Sequence, residues 1–207
     1  MLTSDALLRE LKTQQQAGNW DEVLRMLDLL EKGGFIDQSL AEYLRQDAWV
    51  EKILRQESFA PLCACIDSVP ADVKRQRKIT AASARALIQH DGSEFAQKLL
   101  AASLNAQWDG ELVALYGDCR AANVVAQIEQ AEKWLNLHRN EAVLLLALGK
   151  LCLHQGLQEK ARDYLVASIN AKPSRDAHES MGLLAERIGD AEQAQRYFQQ
   201  AIAFPRL

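Results

Sequence analysis

Turn-forming and aromatic residues are scarce in this chain of 207 residues, which has only 4 prolines, 10 glycines and 6% aromatic residues. All-β folds need frequent turn residues between their short strands, so this composition argues against them. Nearly every segment instead has apolar residues spaced three and four positions apart, which is the spacing of one face of an α-helix. The sequence therefore predicts an all-α protein.

Long apolar runs and an excess of basic charge are also missing. The longest apolar run, from Ala142 to Leu148, is far shorter than the roughly 20 residues of a membrane-spanning helix, and no signal peptide precedes it. With 24 basic and 28 acidic residues the net charge is -4, which argues against nucleic acid as the main partner. The hydrophobic content of 48% suffices for a sizeable core. We expect a soluble, globular chain.

The four cysteines show neither the paired spacing of a zinc site nor the density of a disulfide scaffold. They stand among apolar neighbours, as in LCACI and KLCL, where a free cysteine behaves as a small hydrophobic residue. We therefore expect reduced, structural cysteines and a reducing compartment. The positions concerned are Cys63, Cys65, Cys119 and Cys152.

Cys152 and His154 stand two residues apart in the stretch GKLCLHQGLQ. At about 100° per residue they point to nearly opposite sides of one helix, so they cannot bind one ion together. The four histidines form no HxxxH pair. We predict no metal site and no cofactor, although His154 alone could still serve as an axial ligand of heme.

Catalytic motifs are absent as well. The chain has no GxSxG, no P-loop, no HExxH and no GxGxxG dinucleotide fingerprint. Acidic pairs such as Asp21-Glu22 fall at expected helix starts, where they suit the helix dipole. We predict no catalytic residues and no enzymatic activity. A basic cluster of Lys74, Arg75, Arg77 and Lys78 indicates a charged helix start or linker, and contact with anionic lipid is the alternative.

The second half of the chain repeats itself. Gly149 corresponds to Gly182 and Gly156 to Gly189, each displaced by 33 residues. Small residues let two antiparallel helices approach closely, and a glycine ends the first helix of a pair where a left-handed turn is needed. Such a period predicts stacked helix pairs. The related segments are AEKWL at 131, ARDYL at 161, AQRYF at 194 and the weaker AQKLL at 96.

This pattern resembles the tetratricopeptide repeat (TPR), whose large and small positions match Leu145, Leu148, Gly149, Gly156, Ala161, Leu165, Ser168 and Pro173. The match is best at 142–173 and 175–205 and loosens upstream, where Ala131 falls two residues later than expected. Segment 37–76 has short helical patterns outside the repeat. We predict one TPR-like domain over 1–207, a right-handed α-solenoid of antiparallel helix pairs, with degenerate pairs in 1–76 and repeats in 77–205.

In such a repeat the first helix of each pair lines the concave surface. On each first helix, the residues that do not pack against the partner helix of the pair face the groove, and they recur three and four positions apart. Their mixture of charged and apolar side chains suits a peptide segment or a partner helix, and a merely solvated face is the alternative. The predicted partner-binding residues are Lys78, Arg85, Gln89, Glu111, Asp118, Lys150, His154, Glu179, Glu186 and Arg187.

The order of motifs narrows the match further. QWDGELVALYG at 107–117 precedes AEKWLNLHRNEAVLLLALGKLCL, and then come EKARDYLVASINAKPS and LLAERIGDAEQAQRYFQQAI. Together they resemble the C-terminal domain of the Gram-negative HemY family. Gly18-Asn19-Trp20 is the main marker in the N-terminal part.

The HemY resemblance implies a membrane-anchored TPR protein that is encoded with heme-biosynthesis enzymes. It implies a scaffold role in a late step of heme (porphyrin) biosynthesis or handling, through contact with those enzymes and without catalysis. The anchoring N-terminal helices of the family are absent from this chain, which we therefore expect to be a soluble fragment of an inner-membrane protein, on the cytoplasmic side. A heme or porphyrin carrier or sensor is the alternative function.

Overall fold

The structure is a computed structural model that describes residues 4–205, with side chains described from residue 6 onward. This part of the chain consists of thirteen α-helices and contains no strand, so the predicted all-α class is confirmed. None of these helices is long and apolar enough to span a membrane. The chain divides into two compact units, Met1–Gly92 and Ser93–Leu207. A single solenoid running through both units stays a prediction.

Unit 1 is built around its second and third helices. Helix α2 packs on α1 and α3, and α3 also packs on α4 and α6. Leu7, Val23, Leu27 and Leu30 are among the buried residues of its hydrophobic core. The helices of this unit are α1 (Ser4–Ala17), α2 (Trp20–Lys32), α3 (Gln38–Leu54), α4 (Phe59–Ser68), α5 (Ala71–Lys74) and α6 (Arg77–Gln89).

Segment 37–76, which has only short helical patterns in the sequence, contains a helix of 17 residues, α3. Asp37 begins it by accepting a hydrogen bond from the Leu40 backbone N–H at 2.9 Å, as an N-cap aspartate does. Ala41, Ala48 and Ile53 are buried along its inner side. The helical pattern SLAEYLRQDAWVEKILRQ of this segment therefore corresponds to one long helix.

Unit 2 has the contact pattern of a helical repeat. Consecutive helices pack on each other in α10–α11, α11–α12 and α12–α13, and α10 also packs on α8 and α12. Contacts confined to near neighbours are typical of a solenoid. The helices are α7 (Ser93–Ala106), α8 (Gly110–Asp118), α9 (Val124–Leu137), α10 (Ala142–Gln155), α11 (Gln158–Ala171), α12 (Arg175–Arg187) and α13 (Ala191–Ile202).

The close helix crossing predicted at Gly149 is present. A Cβ built on Gly149 would lie 2.6 Å from Leu165 Cδ2 on the next helix, so the leucine fills the space that the glycine leaves. Gly182 meets the ring of Phe198 in the same way, at 2.5 Å. Gly156 adopts φ 78 in the turn between α10 and α11, the left-handed conformation that favours glycine. The two best repeats therefore share one geometry.

The preceding pair, α8 and α9, departs from this geometry. Helix α8 ends at Asp118, directly after Gly117, whereas α10 continues from Gly149 to Gln155. The connection to α9 is correspondingly longer, and this delays Ala131. Buried Gln127 holds the connection, because its Nε2 donates to the carbonyl oxygens of Tyr116 at 2.7 Å and Cys119 at 3.4 Å.

Candidate partner-binding face

Helices α8, α10 and α12 of unit 2 carry a set of mostly polar side chains, which we call the first-helix face. On each helix the members are spaced three, four or seven residues apart, so they share a side, except that Arg187 directly follows Glu186 and lies four residues after Leu183. Most are exposed, whereas Glu111, Lys150 and Glu179 are partly buried. The members are Glu111, Asp118, Lys150, His154, Asp176, Glu179, Leu183, Glu186 and Arg187.

Lys150 joins the three helices of this face. Its Nζ lies 2.9 Å from Asp118 Oδ1 on α8 and 3.4 Å from Asp176 Oδ2 on α12. Partial burial lowers the pKa of Lys150, but the two carboxylates outweigh it, so that the pKa is raised above its ordinary value. The lysine therefore stays charged and ties α8 to α10 and α10 to α12. Asp118 and Lys150, both predicted, are thus in direct contact.

A second group lies at the C-terminal end of the face. Arg187 Nη1 on α12 donates a hydrogen bond to the Leu153 carbonyl oxygen on α10, beside exposed His154. Partial burial, then the charges of Arg120 and Arg187, lower the pKa of His154, and Asp118 acts in the opposite direction. At neutral pH the lowered pKa therefore favours the uncharged imidazole, and two guanidinium groups lie near enough to contribute to this effect.

Arg120 was missed by the sequence analysis. It lies in the irregular connection after α8, where helical spacing cannot assign a side chain to a face. The only signal is its position, two residues beyond Asp118.

The remaining predicted residues of unit 2 lie on the face without converging on one point. Glu179 Oε1 accepts from Arg175 Nε at 2.7 Å, within α12. Leu183 is 49% exposed between Glu179 and Glu186. Glu111 lies in the first turn of α8, seven residues before Asp118.

Three predicted residues, Lys78, Arg85 and Gln89, belong to unit 1. All three are exposed on α6. Lys78 Nζ lies 3.7 Å from Asp47 Oδ1 and 5.1 Å from the ring centre of Tyr43, so this lysine is directed towards α3. Within unit 1 these three residues lie along α6.

Cys152 and His154 lie on different sides of α10, as their spacing predicts. Cys152 is 0% exposed, and burial raises the pKa of its thiol to about 11, whereas His154 is exposed. Cys65 and Cys119 are also buried, and Cys63 is partly exposed. In the part of the chain that the structure describes, no group of three or more His, Cys, Asp or Glu side chains is placed to hold a metal ion.

The AEKWL motif and the histidine that follows it have a packing role. Trp134 Nε1 donates to Asn105 Oδ1 at 2.8 Å. The His138 ring stacks on Trp108, with 3.7 Å between ring centres, and Trp108 Nε1 donates to Glu141 Oε2 at 2.7 Å. These contacts connect the end of α9 to the last turn of α7 and to the connection between α7 and α8.

No protein-family model matches the chain, and no curated protein matches it. Among solved structures it is similar to the chain described as MamA MSR-1 C2, with a TM-score of 0.43 and 14% identity over 97% of this chain and 95% of that one. The helical-repeat assignment rests on the helix contacts and glycine crossings described above.

Proposed function

We propose that this protein is a non-catalytic scaffold that binds a segment of a partner protein on its first-helix face. The observation that carries the proposal is the bridge through Lys150, which links α8, α10 and α12, the first helices of three successive pairs, in one array. Repeat proteins use such arrays of side chains to bind extended or helical segments. A preformed face also lowers the entropic cost of binding.

The composition of the face supports a protein partner. Leu183 offers exposed apolar surface between charged neighbours, and His154, Glu186 and Arg187 are exposed beside it. Apolar contact of this kind supplies affinity, while the surrounding charges select the partner.

The motifs that resemble HemY support a finer proposal: the partner is an enzyme of a late step of heme (porphyrin) biosynthesis, met at the inner membrane. The scaffold would hold that enzyme near its substrate or product without taking part in the reaction. The full-length protein would be anchored through a segment that this chain does not contain, with this domain on the cytoplasmic side.

A pull-down with a matched control tests both the binding face and the identity of the partner. The face variant combines Leu183→Asp with Glu186→Lys on α12. The control combines Val166→Asp with Asp163→Lys on α11, whose side chains are also exposed. We expect wild type and control to capture a heme-pathway enzyme, identified by mass spectrometry, and the face variant to lose it.

The outcomes separate these two questions. Equal capture by the face variant and the control would contradict the assignment of the binding face. If wild type and control capture a protein of another pathway and the face variant does not, the scaffold function is supported and the role in heme biosynthesis is rejected. Circular dichroism of the three proteins checks that their folds are equal.

A heme or porphyrin carrier is the second candidate, favoured by the exposed imidazole of His154, whose pKa is lowered, and by the charges of Arg120 and Arg187 near it, which would pair with propionates. Neutral imidazole is a good ligand of heme iron. A Soret titration should then show a saturable one-to-one complex that His154→Ala weakens. Absence of saturation, or an unchanged complex in that variant, would reject this function.

A further inference from the structure

At the C-terminal end of the first-helix face, two arginines lack, among the residues that the structure describes, the carboxylate partners that the other cations of this region have. Lys150 is paired with two aspartates and Arg175 with Glu179. Arg120 and Arg187, in contrast, form no ion pair with a carboxylate within residues 6–205. Both arginine residues are exposed. We call Arg120, His154 and Arg187 the basic rim.

The contacts between helices bring the rim together. The hydrogen bond from Arg187 to the Leu153 carbonyl oxygen places the end of α12 beside His154. The bridge from Asp118 to Lys150 places the end of α8 one helical turn before His154, and Arg120 follows Asp118 by two residues. Arg187 on α12 therefore lies beside His154, and Arg120, in the connection after α8, is near enough to affect its charge.

The rim is positive in spite of the acidic residues near it. Asp118 faces it from α8, but both Asp118 and Asp176 are already paired with Lys150. Glu186 of α12 is exposed next to Arg187. The lowered pKa of His154 agrees with this balance, because beyond partial burial the two arginines outweigh Asp118.

We propose that the partner segment bound on the first-helix face carries acidic side chains, and that Arg120 and Arg187 bind their carboxylates beside His154. This inference rests on the proposed scaffold function and names the chemistry of the segment. A guanidinium group binds a carboxylate through two parallel hydrogen bonds, which a neutral side chain cannot replace. A basic segment would meet two arginines here and aspartates that Lys150 already occupies.

Binding of an acidic segment changes the titration of His154. Carboxylates at the rim cancel part of the field of the arginines, so the pKa of His154 rises on binding. By linkage, the protonated imidazole and the acidic segment then favour each other. The affinity should therefore increase as pH falls through the titration range of His154, and the increase should vanish in His154→Ala.

Two synthetic peptides test the inference on the chain as it exists. The probe is an acetylated, amidated peptide of alternating glutamate and leucine, and its control has glutamine at every glutamate. NMR of the imidazole of His154 gives its pKa with and without peptide, and calorimetry gives the affinity at low salt. We expect the glutamate peptide alone to bind and to raise the pKa of His154. Equal affinity of the two peptides would overturn the inference.

Substitutions then assign the contact to the rim. Arg120→Gln should weaken the glutamate peptide about tenfold, the effect of one charged hydrogen-bonded contact. Arg187→Gln should act similarly, although Arg187 also contacts the Leu153 carbonyl oxygen, so Arg120→Gln is the cleaner variant. Arg162→Gln on the exposed side of α11 is the control and should change nothing. If Arg120→Gln leaves the affinity for the glutamate peptide unchanged, the inference is overturned.

Failure of this inference is distinguishable from failure of the scaffold function. If a captured protein partner is lost with Leu183→Asp and Glu186→Lys but kept with Arg120→Gln and Arg187→Gln together, the face binds proteins and the rim does not select acidic segments. If none of these substitutions affects capture, the face itself is not the binding surface.

Discussion

Gly117 lies against the backbone of Ala147, so closely that a Cβ built on Gly117 would come within 2.7 Å of Ala147 Cα. Helices α8 and α10 therefore touch through their main chains. This contact sets the separation of two of the three helices that form the first-helix face, and hence the distance that Lys150 bridges to Asp118.

Gly117→Ala should destabilise unit 2, because a backbone atom cannot move aside as a side chain can. We expect a loss of about 1–3 kcal/mol, the usual cost of overpacking, measured by urea unfolding. Gly149→Ala is the comparison, since its Cβ would meet the Leu165 side chain at 2.6 Å, and it should cost less. A Gly117→Ala protein as stable as wild type would contradict the close approach.

Gly156→Ala separates backbone conformation from packing. Nothing lies within 4 Å of a Cβ built on Gly156, but its φ is +78. The left-handed conformation should therefore cost an alanine about 1 kcal/mol, without any change in the packing of neighbouring residues. Urea unfolding gives the cost, and unchanged chemical shifts on α8 show that packing is preserved. If Gly156→Ala lowers the free energy of unfolding as much as Gly117→Ala does, the backbone conformation is not the only cost at Gly156.

Gln127→Glu should destabilise the protein strongly at neutral pH. Gln127 is 0% exposed and donates to two carbonyl oxygens, which an ionised carboxylate would repel. Burial should raise the pKa of the new carboxyl above its unfolded value of about 4.3. Stability relative to wild type should therefore be best near pH 4 and fall as pH rises through and above that value.

The measurement is urea unfolding of the Gln127→Glu and wild-type proteins at several pH values. Glu129→Gln, which changes an exposed residue of the same helix α9 in the opposite sense, is the control and should show little pH-dependent difference. A constant difference between Gln127→Glu and wild type from pH 4 to pH 8 would contradict the buried position of this side chain.

The cysteines should differ in reactivity. Burial raises the pKa of Cys119 to about 12 and that of Cys152 to about 11, so both thiols stay protonated at pH 8, and both are shielded from reagents. Iodoacetamide at pH 8 should modify the partly exposed Cys63 first. Peptide mapping assigns the modified residue, and urea-unfolded protein, in which all four should react, is the control. Rapid native alkylation of Cys152 would contradict its place in the core.

The repeat was predictable because its determinants are local and periodic. Gly149, Gly156 and Ala161 recur at one offset, since each crossing needs small residues at the same place. The first-helix face was predictable to the same extent, because side chains three and four residues apart share a side whatever they contact. Helical spacing thus placed Lys150 and His154 on one side of α10, whereas the contact of Lys150 with Asp118 of α8 is known only from the structure.

Contacts that depend on irregular backbone were not predictable. Arg120 lies in the connection after α8, and no periodicity tells where such a residue points. Gln127 looks like a surface residue in the sequence, and only the carbonyl oxygens of the shortened α8 explain its burial. The longer α8–α9 connection shifts Ala131 in the sequence, and α9 packs on α10, so the repeat pattern is weaker at this pair.

The bridge through Lys150 should contribute to stability through Asp118 more than through Asp176. Its Nζ lies 2.9 Å from Asp118 and 3.4 Å from Asp176, and the two aspartates are 48% and 58% exposed. Pairs that open to solvent are worth at most about 1 kcal/mol and are screened by salt.

Double-mutant cycles of Lys150→Met with Asp118→Asn and with Asp176→Asn give each coupling energy. We expect the first coupling to be larger and both to shrink at 1 M salt. Zero coupling to Asp118, or couplings that salt does not change, would mean that Lys150 holds the face by the packing of its aliphatic chain.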